Sequence, residues 1–130
     1  MFVDASALCA ILLDEAEREL FKQRIVDAAE AFTSPIATFE TALALQRRTR
    51  LSLAEAMLRI DGFLAVGRVA VIDVTPEIGR LALDARARYG KGTGHPAQLN
   101  MGDCFAYACA RAHCAPLLYK GDDFVHTDLA

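Results

Sequence analysis

A chain of 130 residues is long enough to bury a core and short enough to need only one domain. Its hydrophobic share of 54% suits a sheet covered on both faces, and no apolar run reaches the ~18 residues of a membrane span. A net charge of −3 argues against a protein that holds nucleic acid by overall positive charge, although acids gathered around a divalent ion have their local sign reversed.

Met1 is followed at once by a strand-like Phe2-Val3 and then by Asp4. No leader pattern of positive charge and a longer apolar run precedes them, so a reducing cytoplasm is the expected setting. Ser6 and the apolar Ala7 to Leu13 follow, read as a buried helix starting near Ser6 with Asp4 at the strand end. Taken alone, Asp4 or Ser6 is better explained as a helix N-cap, since both types accept from free backbone N–H groups. Glu15 to Ala29 reads as a second helix, with Leu20, Phe21 and Ile25 on one face.

Ala31-Phe32-Thr33 is a short strand candidate, and Ser34-Pro35 supplies a cap and a first-turn proline. The helix that follows carries Ile36, Phe39, Leu43 and Leu45 and ends in Arg47, Arg48 and Arg50. Glu40 lies about one turn inside it, where the helix dipole alone would favour an acid. Ser52 to Glu55 has the spacing of a capping box and opens a helix with Leu53, Met57, Ile60 and Leu64 on one side. Val69 to Val74 is the clearest strand. Thr75-Pro76-Glu77 starts a helix with Ile78, Leu81, Ala82 and Ala85 facing inward, and Gly90 stops it.

Gly90 to Leu99 is the long irregular stretch, holding Lys91 and His95. Its glycine spacing is wrong for a phosphate-binding P-loop, and no Lys-Ser/Thr pair follows. A loop of this kind suits gripping a substrate backbone, while a lone loop histidine is usually solvated rather than a general base. A helix then begins near Asp103, and Ala115 to Tyr119 forms a last strand that stops at Gly121-Asp122-Asp123. Cys9, Cys104, Cys109 and Cys114 form no C-x-x-C pair and read as small buried apolar side chains. Strands separated by helices imply a parallel sheet.

On this layout Asp4 and Asp122 lie at strand ends, and Glu40 and Asp103 lie in opening turns of helices. In an open parallel sheet these places meet at one edge, where ligands bind. Acids brought together there repel one another unless a cation lies between them or one takes a proton. Oxygen donors of this kind suit Mg²⁺ or Mn²⁺, which polarise a phosphodiester and make hydroxide from bound water.

Four stretches carry a family resemblance: MFVDASAL, SPIATFETALAL, GDCFAYACAR and LLYKGDDFVHTDL. They resemble the PIN-domain ribonucleases, and within them the VapC-type toxins of prokaryotic toxin–antitoxin pairs. The resemblance covers essentially the whole chain and implies a single PIN-like α/β domain over residues 1–130, with a mostly parallel sheet of four to five strands and helices on both faces. The family's metal-binding acids fall on Asp4, Glu40, Asp103 and Asp122, and its small polar residue on Ser6. Neighbours in a strand-end turn point apart, so only one of Asp122 and Asp123 is expected to serve. The implied activity is a Mg²⁺-dependent endoribonuclease in which Mn²⁺ substitutes, leaving a 5′-phosphate and a 3′-hydroxyl. The implied partners are RNA, a cognate VapB-type antitoxin and a second copy of the chain, as a homodimer or dimer of dimers. Arg47, Arg48 and Arg50, and separately Arg86, Arg88 and Lys91, are candidates for tracking RNA phosphates, although a solvated helix end favoured by the dipole is the better explanation of each patch taken singly.

Two rival readings stand beside this one. A haloacid-dehalogenase-like phosphatase would use Asp4 as a phosphorylated nucleophile, but position 6 is Ser where that chemistry has a second acid. A non-catalytic binding partner would use the acids only as caps.

Overall fold

The computed structural model describes residues 1–130, with four short strands and six helices. The strands are β1 (Phe2–Val3), β2 (Ala31–Thr33), β3 (Val69–Val71) and β4 (Leu117–Leu118). They form one sheet in the order β3-β2-β1-β4, and every pairing is parallel. The helices are α1 (Ala5–Leu12), α2 (Arg18–Asp27), α3 (Pro35–Arg48), α4 (Leu53–Gly67), α5 (Pro76–Tyr89) and α6 (Met101–Ala112). The α/β class and the parallel sheet with helices on both faces are as expected.

Two-residue alternation along the strands builds two cores. Phe2 and Leu117 pair in register and face one side; Val3 and Leu118 pair and face the other. The first side is closed by α5 and α6 through Ile78, Ala82, Ala85, Ala106 and Tyr107. The second is closed by α1, α2, α3 and α4 through Leu8, Ile25, Leu45 and Ile60. Helix α6 is apolar around most of its circumference and is buried accordingly.

The strand order decides where a site can form. The chain leaves β1 for β2 on one side and returns to β4 on the other. The crevice at the carboxyl ends of β1 and β4 is therefore a topological switch point, the usual ligand edge of such sheets.

Several boundaries and faces differ from the sequence reading. Helix α2 starts at Arg18 rather than Glu15, and β3 stops at Val71 rather than Val74, because it pairs with β2 only as far as Thr33. The buried stripe of α3 is Ala37, Thr41, Ala42 and Leu45, with Phe39 turned to solvent at 65% exposure. Thr41 is accommodated by donating its hydroxyl to the Ala37 carbonyl at 2.7 Å. On α4 the buried side is Ala56, Ile60 and Leu64, and Leu53 and Met57 are exposed. Leu20 is exposed beside the buried Phe21 and Ile25. Cys114 is exposed, just past the end of α6 with φ 48, where it makes the turn rather than packing a core.

Candidate active site at the switch point

Each acid is placed by a local device that its own sequence dictates. Asp4 follows β1 and caps α1, accepting from Ser6 N at 3.0 Å and from Ser6 Oγ at 2.5 Å. It is buried, with a relative exposure of 5%. Burial pushes its carboxyl above the ordinary range against the lowering by the Ser6 bonds, and the Asp123 charge adds to the rise.

Asp103 is held by a capping box. Asn100 Oδ1 accepts from Asp103 N at 2.9 Å, and Asp103 Oδ2 accepts from Asn100 N at 2.9 Å. This is why α6 starts at Met101, ahead of Asp103, and why one Asp103 oxygen has a fixed direction. Its carboxyl is pushed up to about 6 by burial, opposed by the Asn100 bond and helped by the charges of Asp123 and Asp4.

Glu40 sits on α3, whose start is fixed by Ser34 capping Ala37 N at 3.1 Å and by Pro35 in the first turn. Burial, then the charges of Asp4 and Asp103, push its carboxyl up to about 7. Glu40 lies directly over Gly102, the residue before Asp103. Asp4, Glu40 and Asp103 thus share one neighbourhood although they come from three distant parts of the chain.

The last acid comes from the turn after β4. Gly121 has φ 93, a left-handed conformation that an L side chain rarely adopts, and it reverses the chain there. Phe124 is fully buried against Tyr119, ring centroids 5.0 Å apart, and fixes the far side of the turn. Within it, Asp123 is the acid whose charge acts on both Asp4 and Asp103. Both acids are exposed, and the Asp122 carbonyl accepts from Val125 N at 3.3 Å.

The donor set is all carboxylate oxygen, and Asp4, Glu40 and Asp103 each hold their protons more tightly than usual. A small hard cation would relieve that repulsion. No three Asp, Glu, His or Cys side chains are drawn tightly enough to enclose an ion unaided. Mg²⁺ does not require it, since it commonly keeps several waters and takes one or two carboxylates. The residues fit such an ion.

The cations divide into free and engaged. Arg48 lies 3.0 Å from Glu15, and Lys120 contacts both Glu15 and Glu17, the latter at 3.0 Å. Arg88 donates to Tyr89 Oη at 2.6 Å and faces Asp128. Arg47 and Arg50 are exposed, and no ion pair holds them. Arg86 and Lys91 line a pocket of about 510 Å³ between α5 and α6, beside Met101. His95 is part of its own loop: Nδ1 accepts from Ala97 N at 3.1 Å and the ring packs on Tyr89. All four cysteines are free, and burial raises the thiols of Cys9 and Cys109 to about 11, which leaves them inert at neutral pH.

Sequence reasoning missed Gly102, the Asn100–Asp103 box and the Glu15–Lys120–Arg48 cluster. The Asn-x-x-Asp spacing was a legible signal for the box; nothing local signals the other two.

The profile of the PIN domain family matches residues 1–129. A VapC ribonuclease of Rhizobium meliloti (strain 1021) is 40% identical, over 98% of this chain and 98% of its own length. Ribonuclease VapC42 of Mycobacterium tuberculosis is 36% identical, over 99% of this chain and 96% of its own. The crystal structure of Mycobacterium tuberculosis VapC20, described as a Sarcin-Ricin loop cleaving toxin, superposes with a TM-score of 0.74 at 20% identity, covering 95% of this chain and 92% of that one, and shares its fold. The chain belongs to the PIN-domain family, and within it to the VapC ribonucleases.

Proposed function

We propose that the whole chain acts as one nuclease domain, a divalent-cation-dependent endoribonuclease that is the toxin of a toxin–antitoxin pair. One observation carries this reading. Asp4, Glu40 and Asp103 come from separate elements and lie close together, Glu40 over Gly102 beside Asp103, and each holds its proton above the ordinary range because water is excluded and other acids are near. Nothing in the fold itself benefits from that repulsion, so its offset is expected from a ligand. The names of the relatives point the same way.

Asp4 and Asp103 would hold Mg²⁺, or Mn²⁺ in its place, with Asp123 completing the far side rather than Asp122. The ion would supply Lewis-acid stabilisation of the phosphodiester and a water of lowered pKa. Glu40, with a proton affinity near neutrality, orients the attacking water and takes its proton. Ser6 keeps Asp4 aimed. Arg47 and Lys91, which no acid neutralises, are placed to meet flanking RNA phosphates; Arg48 is less available because Glu15 holds it.

The partners follow from charge and apolar surface. A basic side chain on the tail of a VapB-type antitoxin would neutralise the acids as the ion does. Val26 and Val66, on adjoining helices α2 and α4 and both mostly exposed, support pairing of two copies through the early helices. No helix is long and apolar enough to cross a membrane, and a cytoplasmic location is proposed with the RNA substrate. The phosphatase reading loses ground at position 6, where Ser6 donates to Asp4 in place of the second acid which that chemistry uses.

The test is to incubate purified protein with total RNA, with and without Mg²⁺ or Mn²⁺, and map the new ends. Cation-dependent cuts with 5′-phosphates support the reading; intact RNA at all cation concentrations overturns it.

A further inference from the structure

We propose that Gly102 is a positioning residue whose missing side chain forms the seat of the Glu40 carboxylate against the first turn of α6. The functional consequence rests on the nuclease reading above; the seat itself rests on geometry.

Gly102 is buried and lies inside the first turn of α6, between the Asn100 cap and Asp103. Its backbone does not call for glycine: the left-handed glycines of this chain are Gly92, Gly94 and Gly121. In a helix, alanine is favoured over glycine, so on backbone grounds this position should prefer a Cβ. Space forbids one. A Cβ built on Gly102 lies 2.5 Å from Glu40 Cδ and nearer still to both carboxylate oxygens. The helical glycines Gly62 and Gly79 have nothing within 4 Å of the equivalent point, so the crowding is particular to Gly102.

The seat has a physical logic. The amino end of α6 carries unpaired N–H groups and the positive end of the helix dipole, a favourable place for a carboxylate. It also sets Glu40 next to Asp103 without a bond between the two side chains. Glu40 reaches it from α3 across the sheet edge, so the glycine ties the spacing of two helices to the spacing of two acids. What yields on adding a Cβ is the end of a flexible side chain rather than backbone. Gly102→Ala should therefore fold, with Glu40 displaced.

A double-mutant cycle tests this with Gly102→Ala, Glu40→Ala and the two combined, plus Gly102→Ala with Glu40→Asp, in the full chain. The first readout is thermal melting without added metal. With alanine at position 40, Gly102→Ala should raise the melting temperature by about 2–4 °C through helix propensity alone. With glutamate at position 40, that gain should vanish or reverse. The second readout is Mn²⁺ affinity by paramagnetic resonance. Gly102→Ala should weaken it about tenfold or more, as displacing a ligand-orienting group does. It should add no loss once Glu40→Ala is in place, and the shorter aspartate of Glu40→Asp should recover part of what Gly102→Ala removed. An equal melting shift in both backgrounds, or an equal factor in Mn²⁺ affinity, overturns the seat. If the unaltered protein neither binds Mn²⁺ nor cuts RNA, the nuclease reading fails, and the melting cycle still decides the seat.

Discussion

Ser6 Oγ donates to Asp4 Oδ2 at 2.5 Å and accepts from Lys120 N at 3.0 Å, joining the ends of β1 and β4 across 114 positions of chain. One hydroxyl thus locks the two strands that flank the switch point and aims the most buried acid. Ser6→Ala removes both bonds and leaves the Lys120 N–H without its partner. We expect a loss of about 1–3 kcal/mol. It should be read as a lower denaturant midpoint at unchanged slope. An unaltered midpoint would show that water replaces the hydroxyl at no cost.

Asp4→Asn and Asp103→Asn should each lower RNA cleavage by about 10²–10³, the usual effect of removing one group that stabilises developing charge. Both should fold, because Asn retains a capping oxygen at position 4 and the amide no longer repels its neighbours. Without metal, Asp4→Asn should melt higher than the parent near pH 8. Cleavage by both variants at the parent rate would remove these residues from the site.

The Asp123 charge raises the proton affinity of both Asp4 and Asp103. Asp123→Asn should therefore cost cleavage about tenfold or more, and Asp122→Asn should cost little. The reverse ranking would restore the motif match.

The raised acids set a pH dependence of stability. Glu40 is pushed from 4.5 up to about 7 and Asp103 from 3.8 up to about 6, burial first in both. A carboxyl that binds its proton more tightly when folded adds stability that is complete below its unfolded value and is lost as pH rises through its folded value. The ion-free protein should lose stability from about pH 4 to about pH 7 through these two groups. Saturating Mn²⁺ should offset the loss at the upper end, since the cation competes with the same protons. Melting curves across that range, with and without Mn²⁺, check both signs; a flat ion-free profile contradicts them.

RNA affinity should depend on the free cations rather than the paired one. Arg47→Ala and Lys91→Ala should each reduce the slope of log affinity against log salt by about one, if each meets a phosphate. Arg48→Ala should change it less, because Glu15 already holds that guanidinium 3.0 Å away. Filter binding of a catalytically dead variant at several salt concentrations measures this.

The order of strands and helices was readable from the chain because it is written in local chemistry. Ser34-Pro35, Ser52 with Glu55, and Thr75-Pro76 each start a helix where their side chains meet free N–H groups, and the structure has helices at all three. That Asp4 lies at a strand end and Asp103 in the first turn of a helix was legible for the same reason, while Glu40 sits in the second turn of α3. Which side of α3 is buried was not: Phe39 is exposed while Thr41 is enclosed, because the hydroxyl can pair with its own helix and the neighbouring elements fill the space.

The chain by itself determined the class of fold and the type of chemistry, since periodicity, capping and the kind of donor are properties of neighbours in sequence. Only the tertiary structure decided that Arg48 is tied to Glu15 and that Glu40 lies over Gly102. Those are distances between residues brought together by the β3-β2-β1-β4 order, and no local pattern encodes a distance across a sheet.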